Sequence, residues 1–343
     1  MKTALLHYWL TNVRGGEKVL AALGELMPEA DVFAHAYLPR SFGESSRERL
    51  WGHRVSESFI ARLPLGRRHP QAYLPLMPAA SRSLALDGYG LRVSSESGPI
   101  KGIRKPKGAR HVCYCHTPMR YLWDMHDEYY RSAGLIGKLS MKLFTSYLRR
   151  EDLKSAESVD EFVANSAFVA ERIKRIYGRD SVVVHPPVEV KFFSAAERTA
   201  GDYYLFVGAP VAYKRLDLAE EACRRMGRRL VVAGGGAATD EELRGLYAGA
   251  KALLFPGVED FGIVPVEAQA AGVPVIAFRG GGTLETVRDG ETGVFFDRQD
   301  VESLCGAMEE CEGRSWNPDV CRANARRFSK QVFLNRMKGV LGC

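Results

Sequence analysis

Apolar residues along this chain fall into two series of short runs, separated by segments whose apolar residues recur at helical spacing. The first series opens with a run at residues 2–9, a glycine turn, a helical segment at 16–28 and a further run at 30–37. Near-continuous apolar runs of this length are typical of strands buried on both faces of a parallel sheet. The order strand, helix, strand therefore predicts a doubly wound α/β architecture.

The second series begins after a polar joint near residues 188–200. Its strands are expected at YYLFVGA, RRLVVAGGG, KALLFP, VPVIAF and GVFF, with helical segments between most of them. We predict two Rossmann-like domains, at 1–187 and 188–325, and a last helix at 326–343 that packs back on the first domain. Ligands of such sheets bind at the carboxyl ends of the strands, so we expect the domains to face each other across a ligand-binding cleft.

Charge narrows the range of partners. The chain has 343 residues, a formal net charge of +7 and a pI near 9.0, which favours anionic ligands or an anionic surface. It carries no nucleic-acid recognition motif, so we expect no nucleic acid among its partners. No stretch approaches the roughly 20 apolar residues of a membrane span, and the first residues are too polar for a signal peptide. We therefore expect a cytoplasmic protein.

One segment, HVCYCH, concentrates possible metal ligands. Alternation along a strand places His111, Cys113 and Cys115 on one face and His116 on the other, which is a poor arrangement for a tetrahedral site. The seven cysteines form no CxxC pair. We expect free thiols, no bound metal and no cofactor.

Glycine-rich turns follow four of the expected strands, at Gly15 and Gly16, at Gly208, at Gly234 and at residues 280–282. Glycine there lets backbone N–H groups approach a ligand, and the helix N-terminus that follows attracts anions. The turns match neither GxGxxG nor GxxxxGK[ST], which argues against a dinucleotide enzyme or a P-loop nucleotidase.

Charged residues cluster at the same strand ends. Lys214 and Arg215 precede a helix, where a cation opposes the helix dipole unless an anion binds. In EDFGIVPVE, Glu259 and Glu267 stand on either side of a helix start. Their carboxylates suit the hydroxyls of a sugar or ribose, but helix-end electrostatics explains them equally well. His116 ends a strand of the first domain and is followed by TPMRYLW, which favours a site over a structural histidine.

Taken together, these motifs resemble the retaining glycosyltransferases of family 4. The likeness rests on GGE, HTPMRYLWD, ANSAFVAERIKRIYG, VVHPPV, YKRLDLA, TDEELRGLYAGAKALLFP, EDFGIVPVE and GGGTLETV, which follow one another in this order. The resemblance implies the GT-B fold, two Rossmann-like domains facing across a cleft. The segment CYCHTPMRYLWD looks most like the branch that adds mannose or a similar sugar during O-antigen and exopolysaccharide assembly.

The resemblance also implies roles for particular residues. In the donor site, Glu259 lies by the sugar, Glu267 accepts from the ribose, and the N–H groups of Phe261, Gly262 and Ile263 hold the sugar and phosphates. Lys214, together with Arg215, neutralises the diphosphate of a GDP- or UDP-linked sugar. His116 supports the sugar from the first domain and, with Glu259 at the reacting centre, is an implied catalytic residue. The remaining implied positions are donor-side Gly208 and Gly234 and the acceptor–phosphate loop of Arg14, Gly15, Gly16 and Arg120.

Two departures from the family pattern leave alternatives open. Ala209 stands where the family often has an arginine, and the connection at Gly236–Thr239 is about twenty residues shorter than the resemblance implies. A non-catalytic nucleotide-sugar-binding relative therefore remains as an alternative to a transferase. A sugar-nucleotide epimerase of the same fold is a further alternative.

The helical stretch 135–157 raises a question of membrane contact. It has a broad apolar face, and Lys138, Lys142 and Arg149 are expected on the opposite side. Such a helix rests on an anionic membrane and admits a lipid-linked acceptor, or it packs its apolar face inward and leaves a solvated basic face. Both interpretations remain open.

Overall fold

The computed structural model describes residues 2–199, 201–234 and 239–342. The chain forms two compact units, one of Met1–Val184 with Arg336–Cys343, the other of His185–Asn335. Both are Rossmann-like α/β units built on a parallel sheet, as the alternating pattern predicts.

The sheet of the first unit has the order β3-β4-β2-β1-β5-β6-β7-β8, and every pairing is parallel except that of β3 with β4. Its strands are β1 (Thr3–His7), β2 (Asp31–Ala34), β3 (Arg49–Leu50), β4 (His53–Glu57), β5 (Leu91–Glu96), β6 (Arg110–Cys115), β7 (Glu161–Ala164) and β8 (Ser181–Val183). Its helices are α1 (Gly15–Leu26), α2 (Met77–Arg82), α3 (His126–Ser132), α4 (Leu135–Ala156) and α5 (Ala167–Tyr177), with 3-10 turns at Pro39–Phe42, Phe59–Arg62 and Pro70–Leu76.

The sheet of the second unit is parallel throughout, in the order β10-β9-β11-β12-β13. Its strands are β9 (Tyr203–Val207), β10 (Arg229–Ala233), β11 (Ala252–Phe255), β12 (Val275–Phe278) and β13 (Gly293–Phe296). Its helices are α6 (Val190–Ser194), α7 (Leu216–Met226), α8 (Asp240–Gly249), α9 (Ile263–Ala270), α10 (Thr283–Thr286), α11 (Val301–Glu312) and α12 (Pro318–Arg326), with a 3-10 turn at Ala212–Lys214.

The last helix, α13 (Lys330–Leu341), begins in the second unit and ends in the first. Within the first unit, the guanidinium of Arg110 donates hydrogen bonds to the carbonyl oxygens of Val340 and Leu341, at 2.7 and 3.0 Å. A cation at this point also complements the negative end of the helix dipole. The end of the chain is thus bound to strand β6.

Local sequence signals account for the limits of several helices. The Ser166 hydroxyl accepts from the N–H of Val169 and caps α5, and Gly178 ends that helix in the left-handed conformation. Helix α8 begins with a capping box formed by Thr239 and Glu242.

The core of the second unit explains its apolar runs. Strand residues such as Leu205, Leu253 and Val275 point to one face of the sheet, and their neighbours Tyr204, Leu254 and Ile276 point to the other. Helices cover both faces, so every position of β11 is buried. Strand β10, at one edge of the sheet, is only partly buried.

The expected short connection lies mostly outside the described residues, which resume at Thr239. On either side of it, β10 leads to α8, and α8 leads to β11 on the far side of β9. No helix among the described residues is both long and apolar enough to cross a bilayer.

Candidate functional site

In the second unit, the ion pair between Lys214 and Glu259 is the centre of the candidate site. Lys214 ends the turn after β9, and Glu259 lies in the loop after β11. Because parallel strands end at the same edge of the sheet, these two loops meet there. The Lys214 Nζ lies 2.8 Å from Glu259 Oε1, and the two side chains are 17% and 19% exposed. The pair is therefore shielded from water but still accessible.

A glycine turn holds the loop of Glu259 in place. The N–H of Gly282, in the turn after β12, donates to the carbonyl oxygen of Glu259 at 2.9 Å. A Cβ at Gly282 would lie 2.3 Å from the Phe261 Cα and carbonyl oxygen. Only glycine permits this approach, so the RGGGT turn acts as a support for the EDFG loop.

A second close approach sets the position of Lys214. Gly208 has φ of 158°, and a Cβ there would lie 2.9 Å from the Nζ and Cδ atoms of Lys214. The lysine stem therefore runs directly over the backbone of this glycine. Gly234 follows β10, and a Cβ there would lie 2.7 Å from the backbone nitrogen of Gly208. The glycine turns after β9, β10 and β12 thus converge on Lys214 and Glu259.

Arg215 has a different environment from Lys214. Its backbone is left-handed, with φ of 55°, a conformation that costs a non-glycine residue on the order of 1–3 kcal/mol. Its guanidinium lies 3.1 Å from the Asp217 carboxylate and also donates to the Gln299 carbonyl oxygen. Asp217, in the first turn of α7, therefore relieves the expected conflict between Arg215 and the helix dipole. An anionic ligand that binds the Arg215 guanidinium has to share it with the Asp217 carboxylate.

The start of α9 presents the backbone donors that the family resemblance implies. Gly262 is the N-cap and adopts the left-handed conformation, with φ of 84°. Among the hydrogen bonds of the described residues, none is donated by the N–H groups of Phe261, Gly262 or Ile263. These groups lie at the positive end of the helix, where an anion binds most readily. The Phe261 side chain itself is buried against His185 and Phe328.

Glu267 lies deeper in the unit, and its partner was missed by sequence reasoning. The Tyr247 hydroxyl donates to Glu267 Oε2 at 3.0 Å, and both residues are buried. Burial and the adjacent carboxylate raise the pKa of Tyr247 well above its ordinary value, so the phenol remains a donor. A carboxylate has further acceptor positions, so the hydrogen bond does not prevent it from binding a ribose hydroxyl.

A cavity of about 710 Å³ opens beside this cluster, at the carboxyl ends of β9 and β10. Within the described residues its lining is mostly apolar and includes Gly208, Pro210, Leu216, Val232, Ala233, Gly234, Glu242, Gly245 and Leu246. Its volume lies within the range of pockets that hold a small organic ligand. A flat, largely apolar group such as a nucleobase fits this lining.

In the first unit, the N-terminus of α1 gathers another set of predicted residues. The backbone N–H of Arg14 donates to Glu17 Oε2 at 2.9 Å, and Glu17 Oε1 lies 3.5 Å from the buried His7 Nε2. Burial opposes ionisation of Glu17, but the contacts with His7 and the backbone outweigh it and lower the pKa of the carboxyl. The Arg14 side chain is exposed, and Gly15 and Gly16 open the helix.

His116 lies at this same helix start. A Cβ on Gly16 would come 3.5 Å from His116 Nε2 and from His7 Cε1, so both imidazoles border the glycine. The His116 ring shares a hydrogen bond with Ser95, at 2.9 Å. Burial and the neighbouring His7 lower the pKa of His116 to about 3, so its imidazole is neutral at physiological pH. A neutral ring acts here as a hydrogen-bonding group and not as a cation.

Arg120 lies four residues further along, in the turn after β6, and is half-buried. The turn that contains it rests on a charge network that sequence reasoning missed. Lys101 is fully buried, with its Nζ 2.9 Å from Glu96 Oε1 and 2.5 Å from Asp152 Oδ1. Trp123 donates its indole N–H to Asp152 Oδ2 at 2.8 Å. Burial alone would lower the pKa of Lys101, but the two carboxylates outweigh it and raise that pKa.

HVCYCH contains no metal-binding arrangement within the described residues, where no three metal-ligating side chains lie together. His111 bonds to Ser94 and to the carbonyl oxygen of Ser158. Cys113 and Cys115 are buried in an apolar cluster, and burial raises the pKa of both thiols.

Comparison with known proteins places the chain in a family. Residues 13–192 match the family described as Glycosyltransferase Family 4, and residues 235–328 match Glycosyl transferases group 1. The chain therefore belongs to the family 4 glycosyltransferases.

Among curated relatives, the D-inositol 3-phosphate glycosyltransferase of Geodermatophilus obscurus is 32% identical over 354 aligned positions, covering 73% of this chain and 78% of the relative. The enzyme of that name from Acidothermus cellulolyticus is 30% identical over 236 positions, covering 54% of this chain and 53% of the relative. The chain spans about half the length of the first curated relatives it matches.

Solved structures support the GT-B fold. A sucrose-phosphate synthase from Thermosynechococcus elongatus has a TM-score of 0.73 at 16% identity, covering 99% of this chain and 98% of the other. HepE of Anabaena, in complex with UDP and glucose, has a TM-score of 0.67 at 14% identity, with full coverage of both chains. The mannosyltransferase branch expected from CYCHTPMRYLWD is not confirmed, because the curated relatives are named for inositol phosphate.

Proposed function

We propose that this protein is a retaining hexosyltransferase that moves a hexose from a nucleoside diphosphate sugar to a lipid-linked or saccharide acceptor. The observation that carries the proposal is the convergence of Lys214, Glu259 and the free N–H groups of α9 at one edge of the second sheet. A cation and unpaired backbone donors suit a diphosphate, and a carboxylate suits sugar hydroxyls. Membership of the family supports the same conclusion.

In this proposal the base and ribose occupy the 710 Å³ cavity, and Glu267 accepts from the ribose. The diphosphate lies over Gly208 and replaces Glu259 as the partner of the Lys214 ammonium group. Glu259, once released, accepts hydrogen bonds from the sugar. Before the donor binds, the 2.8 Å ion pair between Lys214 and Glu259 keeps both side chains in position.

The reaction breaks the bond between the anomeric carbon and the distal phosphate oxygen, and the acceptor hydroxyl forms the new glycosidic bond with retention of configuration. The nucleoside diphosphate leaves with the bonding electron pair, and the acceptor proton passes to it or to solvent. Lys214 and the N–H groups of Phe261, Gly262 and Ile263 stabilise the charge that develops on the leaving group. We propose that this stabilisation requires no metal and no cofactor.

The identity of the donor is a finer proposal. The segment CYCHTPMRYLWD favours mannose, and hence a GDP-linked donor, as in O-antigen and lipopolysaccharide synthesis. UDP-linked donors are the alternative, since HepE of Anabaena was solved with UDP and with UDP-glucose. Both bases are compatible with the mostly apolar lining of the cavity.

The acceptor is proposed to bind at the start of α1, near His116 and Arg120. The exposed Arg14 and the N-terminus of a twelve-residue helix suit the phosphate of a lipid-linked acceptor. The same features suit an inositol phosphate, the substrate for which the curated relatives are named, and this is the second candidate acceptor. We place the protein in the cytoplasm, with peripheral attachment to the inner face of the membrane.

A donor screen tests the proposal. Thermal unfolding is followed with GDP-, UDP- and ADP-linked sugars, because a ligand that binds only the native state raises the midpoint. The matching sugar should also release nucleoside diphosphate when acceptor is added, and Glu259→Gln should lose this turnover. Absence of any midpoint shift would contradict the proposal, and sugar conversion without acceptor would indicate the epimerase alternative.

A further inference from the structure

The first half of α4 carries an apolar stripe that nothing in the described chain covers. The stripe consists of Leu135, Ile136, Leu139 and Leu143, with exposed fractions of 88%, 87%, 59% and 63%. At 3.6 residues per turn, these positions span an arc of about 100° over a length of about 12 Å. Singly exposed leucines are ordinary, but four on one arc are not.

The stripe is not the packing face of the helix. The buried residues of α4 are Leu148, Asp152 and Ala156, which lie on the opposite side. The interpretation in which the apolar face packs inward and a basic face is solvated is therefore wrong for this half of the helix. Arg149, expected among the exposed cations, instead donates to the Leu122 carbonyl oxygen and packs over Trp123.

Cations accompany the stripe on the exposed side of α4. Lys142, Arg150 and Lys154 are exposed, and none lies within ion-pair distance of a carboxylate in the described part of the chain. The two acids of the helix are already engaged, Glu151 with Arg82 and Asp152 with Lys101. Long basic side chains beside exposed leucines have the composition of a helix that lies in the interface of an anionic bilayer.

We propose that α4 attaches the protein to an anionic lipid surface by inserting this stripe among the acyl chains, with Lys142, Arg150 and Lys154 meeting the headgroups. A second copy of the chain suits the stripe less well. A two-fold interface would set the same patch against itself and bring these unpaired cations together. Lysine is also depleted at protein interfaces. Tyr130 on α3, which lies beneath Lys138, adds an exposed aromatic ring suited to the headgroup region.

The attachment would hold the enzyme where a lipid-linked acceptor is found, but the inference rests on the surface of α4 alone and not on transfer activity. It is therefore tested without donor or acceptor. The full chain is sedimented with vesicles of phosphatidylcholine alone and with vesicles of equal parts phosphatidylcholine and phosphatidylglycerol. We expect strong binding to the mixed vesicles and weak binding to the neutral ones, with salt reducing the difference.

Two variants separate the apolar and electrostatic contributions. Leu139→Gln with Leu143→Gln should weaken binding to mixed vesicles about tenfold for each leucine, since each loses the transfer of a buried side chain. Leu139→Met with Leu143→Met is the matched control and should bind as the wild type does. Lys142→Gln, Arg150→Gln and Lys154→Gln together should reduce the preference for phosphatidylglycerol about fivefold for each charge.

The proposal is overturned if the wild type stays in the supernatant with mixed vesicles, or if the double glutamine variant binds equally well. It is also overturned if sedimentation velocity without lipid shows that the wild type is a dimer and the double glutamine variant a monomer. The stripe would then be the interface with a second copy of the chain. Because both altered leucine positions, 139 and 143, are exposed, each variant is expected to unfold at the wild-type temperature, which circular dichroism checks.

Discussion

The two units place their charged clusters in contrasting surroundings. In the first unit, Lys101 is sealed between Glu96 and Asp152, with no part of its side chain exposed. In the second unit, Lys214 and Glu259 are paired at the edge of the sheet and remain partly exposed. A sealed pair loses its hydration on folding and cannot change partners, whereas a partly exposed pair can exchange its partner for a ligand. The buried cluster around Lys101 stabilises the fold, whereas the pair of Lys214 and Glu259 is suited to binding a ligand.

The largest effect is expected when the buried cation, Lys101, is removed. Lys101→Met leaves two buried carboxylates without their counter-charge, and the free energy of unfolding should fall by about 3–5 kcal/mol. Urea denaturation of the full chain measures the change. Lys105→Met is the control, because Lys105 pairs with Asp160 at the surface and its loss should cost about 0–1 kcal/mol. Similar losses of unfolding free energy in Lys101→Met and Lys105→Met would refute the distinction between a buried and an exposed ion pair.

The next test concerns the backbone support of the donor loops. Gly282→Ala places a Cβ against the Phe261 backbone and should cost about 1–3 kcal/mol while displacing the EDFG loop. The thermal shift produced by the donor should disappear with it. Gly306→Ala, in the exposed middle of α11 with open space around it, should instead stabilise the chain by about 0.5–1 kcal/mol. A neutral Gly282→Ala would mean that the two loops do not support each other.

A third test uses a surface cluster of the second unit. Hydrogen bonds from Arg228, Lys251 and Tyr204 to Glu312, the first of them the strongest, outweigh its partial burial and lower its pKa from 4.5 to about 2. A lowered pKa means that the stabilisation is present above pH 4.5 and is lost as the pH falls toward 2. Because the cluster is partly exposed, its contribution is reduced by screening to about 1–2 kcal/mol.

Wild type and Glu312→Gln, unfolded by urea at several pH values, should therefore differ at pH 7 and converge near pH 2. A difference that stays constant over this interval would show that the carboxylate charge contributes nothing.

The smallest expected effect is at Tyr247. Tyr247→Phe removes one buried hydrogen bond to Glu267 and preserves the ring, so the free energy of unfolding should fall by about 1 kcal/mol. The Tyr247 ring packs edge-on against Phe193, and we expect phenylalanine to keep this contact. An unchanged stability would indicate that water replaces the hydroxyl.

Much of the architecture was predictable because apolar periodicity reports which positions are buried. The strand at KALLFP and the helix at 135–157 appear close to their predicted places, as β11 and α4. The predicted roles of Lys214, Glu259 and the other site residues stay predictions, although the structure brings this pair together. The proposed boundaries of the domains likewise stay predictions.

Other features could not be read from the sequence, because they depend on contacts between distant segments. Nothing local signals that Lys101 meets Asp152, 51 positions away, or that Asp217 neutralises Arg215. Periodicity showed that α4 has an apolar face but not whether anything covers it. Tyr247 and Glu267 are similar, since only the folded sheet sets their helices side by side.

The most direct measurement for the central claim, that the Lys214–Glu259 pair binds the diphosphate of a sugar donor, is a calorimetric titration. The donor identified by the screen is titrated into wild type, Lys214→Met and the control Lys251→Met, whose lysine pairs with Glu312 instead. Loss of a charge-assisted contact should weaken binding at least about tenfold in Lys214→Met and leave the control unchanged. Equal affinity in the wild type and Lys214→Met would contradict the account.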